Sequence, residues 1–379
     1  MKHVTQSTEL AAVQRIPTPD LPPDIPTPAA VVDRAVLREN VAAMQTAMDR
    51  AGVTLRPHAK THKCVEVAQL QLDAGARGLT VGTVGEAEVF ADAGVEDLFV
   101  AYPVYADAAR GQRLRHLHDR VRLAVGVDSE EGIAALVRAM QGAAKPLDVM
   151  IEVDSGGHRT GVATPTDAAR LATAAEAGGL NVRGLFTHGG HGYRGSDARA
   201  AAADDEVEAL AQAHDALTKA GVTIDVLSAG STPTAELSAR APVTEQRPGT
   251  YVFNDAQQVF LGAVPPTAVA FFVVATVVSA TVPGQVIVDA GAKAVSRDAH
   301  PILPGFGWLA DRGLPLRTMN DYHGFVDVAE GSPAPRVGDR AVIVPNHVCP
   351  TVNLYDELVI VEDGQVVDTW PVAARGRNG

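Results

Sequence analysis

Residues 29–55 read AAVVDRAVLRENVAAMQTAMDRAGVTL. A short run of small and β-branched residues, Ala29–Val32, gives way to the Ala-, Met- and charge-rich stretch Arg38–Ala51. Apolar, β-branched sequence then returns at Val53–Leu55. Strand, helix, strand, with the strands apolar on both faces, is a parallel βαβ unit. The rhythm continues at Gly78–Val81, Leu98–Tyr102, Val121–Val127, Leu147–Val153, Val182–Thr187 and Ile224–Leu227, with helix-length spacers such as Asp204–Ala220. Eight such runs are what a closed (β/α)8 TIM barrel needs. A doubly wound open sheet is the rival, but it gathers its polar clusters at one crevice. Here polar clusters follow the ends of many different runs, which favours the barrel.

The pattern changes after Val264. Phe271–Val282, Gln285–Ala290, Phe325–Val328, Arg340–Val344 and Glu357–Val361 are strand-like, with turns at Pro283-Gly284 and Asp363-Gly364 and few helical spacers. The chain therefore divides into a lead-in over 1–27, a barrel over 28–264 and a mainly-β domain over 265–379. Five prolines between Ile16 and Thr27, followed by Pro28, make the end of the lead-in extended.

Composition narrows the function. An apolar fraction of 46% with 20% charged residues describes a globular protein. A net charge of -13 argues against nucleic acid or an anionic membrane as partner. The longest apolar stretch, Val264–Val278, is interrupted by Pro265, Pro266 and Thr267 and is too short to span a bilayer. No apolar h-region follows Met1, and Cys64 and Cys349 do not form a disulfide framework, so a cytoplasmic location is expected.

Five polar segments carry candidate chemistry. Arg56-Pro57-His58-Ala59-Lys60-Thr61-His62-Lys63 is either a basic loop on a barrel rim or a nucleophilic lysine. In the second case neighbouring cations depress the amine pKa and make a Schiff base feasible near neutral pH. In Glu152–Gly161 glycines permit close backbone approach, and Arg159 either binds an anionic oxygen or pairs with a local carboxylate. His188-Gly189-Gly190-His191-Gly192-Tyr193 offers no acidic or thiolate partner for a metal, so His188 and Tyr193 are read as pocket walls. Gly230-Ser231-Thr232 follows the eighth run, where barrels commonly keep a phosphate. His347 and Cys349, at i and i+2 of an extended segment, can share one ion. Imidazole with thiolate suits Zn2+.

Taken together, these segments resemble the D-serine dehydratase and D-threonine aldolase family of alanine-racemase-like (fold type III) pyridoxal 5'-phosphate enzymes. The resemblance rests on Pro57–Lys63, Val153–Gly161, Gly230–Thr234, Arg247–Tyr251 and His347–Thr351, in that order, and extends from Thr27 onward. It implies a barrel followed by a β domain, usually as a homodimer with active sites near the interface. It implies that Lys60 forms the Schiff base and that Arg159 faces the polar edge of the cofactor ring. Gly230, Ser231 and Thr232 would hold the phosphate, with His188, Tyr193, Gly249 and Tyr251 around the cofactor. His347 and Cys349 would bind a divalent metal, Zn2+ first and Mn2+ second.

Aldolase-type members commonly carry His-x-Asp where this chain has His347-x-Cys349. The thiolate points to β-elimination of water from a D-β-hydroxy amino acid, giving a 2-oxo acid and ammonia. Retro-aldol cleavage to glycine and an aldehyde is the alternative. An amino-acid racemase is disfavoured because Val288–Lys293 lacks the catalytic tyrosine. A non-enzymatic cofactor-binding protein is disfavoured because such relatives resemble the barrel alone.

Overall fold

The computed structural model describes residues 2–329, 331, 333 and 335–379. The opening run, β1 (Ala29–Asp33), does not enter the barrel. It pairs antiparallel with Phe271–Ser279 and parallel with Glu357–Glu362, inside a nine-stranded, mostly antiparallel sheet built by the second half of the chain. An apolar run buried on both faces suits either sheet, and its periodicity does not name its partner.

Eight parallel strands form the barrel. They are β2 (Thr54–Leu55), β3 (Leu79–Val81), β4 (Asp97–Pro103), β5 (Arg122–Val127), β6 (Asp148–Glu152), β7 (Asn181–Phe186), β8 (Val226–Ala229) and β9 (Glu245–Gln246), in the spatial order β2-β9-β8-β7-β6-β5-β4-β3. The last gap is bridged just past β2. Thr80 N donates to Pro57 O at 2.9 Å and Ala59 N donates to Thr80 O at 2.8 Å. The barrel thus closes one residue before Lys60.

The sequence sets the helices that separate the strands. Asp33 accepts from Val36 N and caps Arg34–Ala51, and Gly52, at φ +67°, ends it. Leu37, Val41, Met44 and Met48 form that helix's buried stripe. Thr83, Asp107, Ser129 and Thr164 cap the helices after β3, β4, β5 and β6, each accepting from the backbone N three residues on. Lys2–Val13 is also helical, inside the expected lead-in, and Val13 and Ile16 pack with Phe260, Phe272 and Trp308.

The eighth strand, β9, is short and polar because it faces a charged layer within the barrel. Arg56, 1% exposed, donates to Glu245 Oε2 (2.7 Å) and to both carboxylate oxygens of Asp97 (2.7 and 3.1 Å). Arg56 is therefore a barrel-interior residue and not part of a rim loop. Removing one member of a buried ion cluster strands the others without compensation. Arg56→Met should cost about 3 kcal/mol of stability, read from the urea midpoint. An unchanged midpoint would mean that Asp97 and Glu245 find other partners.

Candidate active site

The polar segments lie at the C-terminal ends of the barrel strands, and the second sheet lays the His347–Cys349 segment over them. Together they enclose a cavity of about 610 Å³ whose walls include Lys60, Arg159, His188, Tyr193, His347 and Cys349. That is the size of a small-molecule site.

Lys60 is the lysine among the lining residues. Burial lowers its ammonium from the ordinary lysine range; Arg159 and Arg247 add to the shift, while Cys349 and Glu86 oppose it. Neither nearby alternative fits the role. Lys63 turns away to an ion pair with Glu86 at 3.0 Å, and Lys293 lies beside Asp321 and Tyr322 at the surface.

Arg159 is presented by a turn that Asp154 organises. The Asp154 carboxylate accepts from Gly156 N (2.9 Å), His158 N (3.0 Å) and His158 Nδ1 (2.7 Å), and these contacts hold it below the usual carboxylate range despite desolvation. On the same wall Glu152 Oε1 accepts from Thr160 at 3.0 Å, and burial pushes the carboxyl up. Its Oε2 is buried with no hydrogen-bond partner among the described residues, as expected where a ligand completes the set.

The Gly230–Thr232 turn sits behind the wall, where the Tyr193 phenol hydrogen-bonds Ser231. Gly230 is at φ +90°, and a Cβ there would fall 1.7 Å from Gln246 Oε1, so only glycine fits. Gly230 N and Gly189 N both donate to the buried Glu206 carboxylate, at 3.3 and 2.7 Å, which ties the loops after β7 and β8 together. The Tyr251 side chain is not brought to the cavity. Its phenol accepts from Gln71 at 2.9 Å within the core, and its contribution is a backbone N–H donated to Thr232 Oγ1. Gly249 packs under the lysine loop, where a Cβ would meet Thr61 Oγ1 at 2.9 Å.

His347 and Cys349 both line the cavity, but not by strand alternation. His347 is extended, while Cys349 lies in the first turn of the short helix Val348–Val352. His347 Nδ1 is bonded to Asp298 Oδ2 at 2.5 Å, so Nε2 is the ring nitrogen left to face Cys349. Val348 N, between the pair, donates to Asp255 Oδ2 at 2.9 Å. Burial pushes the Cys349 thiol up, yet His347, Lys60 and Thr61 outweigh it and hold the thiol below its usual range. An imidazole backed by a carboxylate beside a depressed thiol is a donor set that fits a divalent metal. Among the described residues no three His, Cys, Asp or Glu side chains gather as a metal set, so water or substrate would supply the remaining ligands.

Sequence reading missed Asp298, Asp255, Glu206 and Thr61 as supporting groups. Asp255 had a visible signal: Asp255-x-x-Gln258 is a capping pattern, and Asp255 does accept from Gln258 N. Glu206, in the middle of the helix Ala198–Lys219, and Asp298, in a loop, carry none. Asp255→Ala should cost about 1–3 kcal/mol, the cost of orphaning buried Val348 N–H. It should also raise the metal concentration needed for half-loading, measured by titrating metal into the stripped protein; unchanged loading would show that Asp255 does not orient the pair.

Comparison with known proteins agrees with this geometry. Residues 32–257 match the family model described as "Alanine racemase, N-terminal domain", and residues 270–361 match "Putative serine dehydratase domain". The chain belongs to the alanine-racemase-like, fold type III family of pyridoxal-phosphate enzymes. It is 37% identical to a D-threonine aldolase of an Arthrobacter species, over 95% of this chain and 97% of that one. It is 36% identical to a D-threo-3-hydroxyaspartate dehydratase of a Delftia species, over 91% and 96%. The crystal structure of D-threonine aldolase from Filomicrobium marinum superposes with a TM-score of 0.86 at 35% identity, over 93% of this chain and 96% of that one. Solved structures of D-threo-3-hydroxyaspartate dehydratase include one with a cysteine replaced, in the metal-free form, and one with the histidine two positions before it replaced. Among the described residues no helix is long and apolar enough to cross a membrane.

Proposed function

We propose that this chain is a lyase of D-β-hydroxy amino acids that holds pyridoxal 5'-phosphate on Lys60 and a divalent metal, Zn2+ first, on His347 and Cys349. It converts its substrate by β-elimination of water to a 2-oxo acid and ammonia. The observation that carries this reading is that one cavity holds both a depressed lysine and a depressed imidazole-backed thiol. The histidine–cysteine spacing shared with the dehydratase variants supports elimination.

When bound, the cofactor ring takes up the electrons released at Cα and the metal makes the β-hydroxyl a better leaving group. Lys60 Nζ would be the group that takes the Cα proton, and burial, which lowers its ammonium from the ordinary lysine range, favours the free amine that this needs. His347 is oriented by Asp298, and the segment bearing both metal donors is pinned by Asp255. Arg159 and the Gly230–Thr232 turn would hold the cofactor, the turn through its phosphate. Overall the substrate loses water at Cβ and regains it at Cα, so a 2-oxo acid and ammonia are the whole product set. Retro-aldol cleavage to glycine and an aldehyde uses the same groups, and the aldolase relative supports it as the second reading. The working form is a cytoplasmic homodimer.

Incubating D-serine, D-threonine and D-threo-3-hydroxyaspartate separately with loaded enzyme, and assaying 2-oxo acid, aldehyde plus glycine, and L-enantiomer, separates the routes. Oxo acid is the expected product. Aldehyde plus glycine would replace the first reading with the second, and L-enantiomer would point to racemisation. The L-substrates should be turned over at least about 10²-fold more slowly, because Lys60 would reach the Cα proton of one enantiomer only. Comparable rates for L-threonine would sink the D-specific assignment.

A further inference from the structure

We propose that Lys63 and the segment Ala374–Asn378 form a clamp that positions the Lys60 loop for the cofactor. The inference rests on Lys60 being the cofactor lysine.

Lys63 lies three residues beyond Lys60 and holds a left-handed backbone, φ +52°, that a lysine rarely adopts. Its N–H donates to Ala59 O at 2.9 Å and so closes the turn that contains Lys60. Its carbonyl accepts from Ala374 N at 2.9 Å. Its ammonium, on a side chain 8% exposed, meets Glu86 Oε1 at 3.0 Å, Asn378 Oδ1 at 3.4 Å and Ala374 O at 3.5 Å. Residues from the far end of the sequence thus satisfy both the backbone and the charge of one cofactor-loop residue.

The segment is anchored to the barrel independently of Lys63. Ala374 is fully buried in the barrel's core cluster, and Thr83 Oγ1 donates to Arg377 O at 2.5 Å. Gly85 N and Arg113 Nη2 both donate to Gly379 O at 2.9 Å. Glu86 completes the clamp on its other side. It lies in the first turn of the helix Val84–Asp92, where a carboxylate is favoured, and its Oε2 accepts from Gly82 N at 2.6 Å. Gly82 packs directly on the lysine loop, since a Cβ there would stand 3.7 Å from Lys60 Cβ. The field of Glu86 also reaches the Lys60 amine. With Glu86 paired to Lys63, the Lys60 amine is left as the cavity's free lysine, and its loop is held before the cofactor arrives. Such preorganisation of a reacting group lowers the cost of binding.

The test uses the full chain stripped of cofactor. Pyridoxal phosphate affinity is measured by absorbance titration, the modified lysine is mapped after borohydride reduction, and Tm is recorded alongside. Lys63→Met should weaken cofactor binding by about tenfold or more. Lys63→Met combined with Glu86→Gln removes both charges, so it should recover Tm yet leave affinity weak, because the ammonium's contacts with Ala374 O and Asn378 Oδ1 are still lost. Asn378→Ala, and a chain shortened after Gly376, should weaken binding by about threefold with little change in Tm. Full recovery of affinity in the double variant would reduce Lys63 to charge neutralisation and overturn the clamp. So would unchanged affinity in both tail variants, with Lys60 still labelled in the wild-type protein. Labelling of a different lysine in the wild-type protein would overturn the Lys60 reading itself, and the clamp with it.

Discussion

Lys60→Ala is expected to lower turnover by about 10⁴-fold or more, because it removes a covalent anchor and a general base in one step. Each half of that expectation has its own readout. In the wild-type protein, borohydride should fix the cofactor to the peptide containing Lys60, and the bound cofactor should absorb in the near-visible. In Lys60→Ala, reduction should fix nothing, while the phosphate contacts proposed at Gly230–Thr232 should still allow reversible binding. The geometry leaves little room for substitution by another lysine, since Lys63 is paired with Glu86 and Lys293 lies at the surface. A label on either of those, or turnover in Lys60→Ala within tenfold of wild type, would mean that a different amine anchors the cofactor. Adding a small primary amine should restore part of the rate by substituting for the lost base. It should not restore the covalent label.

Much of this arrangement could be read before any coordinates, and the gaps have physical causes. The runs from Val53 to Leu227 are strands buried on both faces, so their β-branched composition marks them plainly. Ala29–Val32 has the same composition but pairs with Phe271–Val274 and Val359–Ile360 instead. Long-range pairing is not written in local periodicity. The true eighth strand failed the opposite way. Glu245-Gln246 is polar because it answers Arg56 and Ser228 inside the barrel, so no hydrophobic signal marks it. At the site, residues carrying reactive groups stood out as clusters after strand ends, where loops gather catalytic chemistry. The groups that orient them did not. Asp298 reaches His347 across 49 residues and Asp255 reaches Val348 across 93, contacts that only the packed β domain creates. Tyr251 shows the limit of motif transfer: the resemblance puts it around the cofactor, yet its phenol faces Gln71 in the core.

Removing the metal should separate cofactor binding from chemistry. Chelation with EDTA is expected to abolish turnover and leave the near-visible absorption of the bound cofactor intact, and Zn2+ or Mn2+ should restore activity. Lewis-acid assistance to a departing hydroxyl is worth several kcal/mol, so the loss should be about 10³-fold. Cys349→Ala should behave like the chelated enzyme, because His347 alone offers one donor where a pair is needed. The distinction matters because the bland reading of Cys349 is a small buried hydrophobe. Its surroundings argue otherwise: Thr61 Oγ1 stands 3.2 Å from the sulfur, and His347 and Lys60 hold the thiol below its usual range. An inert core cysteine looks like Cys64, whose thiol is pushed up by burial and by neighbouring Glu66. Cys349→Asp keeps an anionic donor at the same position and should retain metal. Because the thiolate is what points this chain towards elimination, the variant should shift products from 2-oxo acid towards glycine and aldehyde. Full activity in protein shown by elemental analysis to be metal-free would take the metal out of the reaction and return racemisation to consideration.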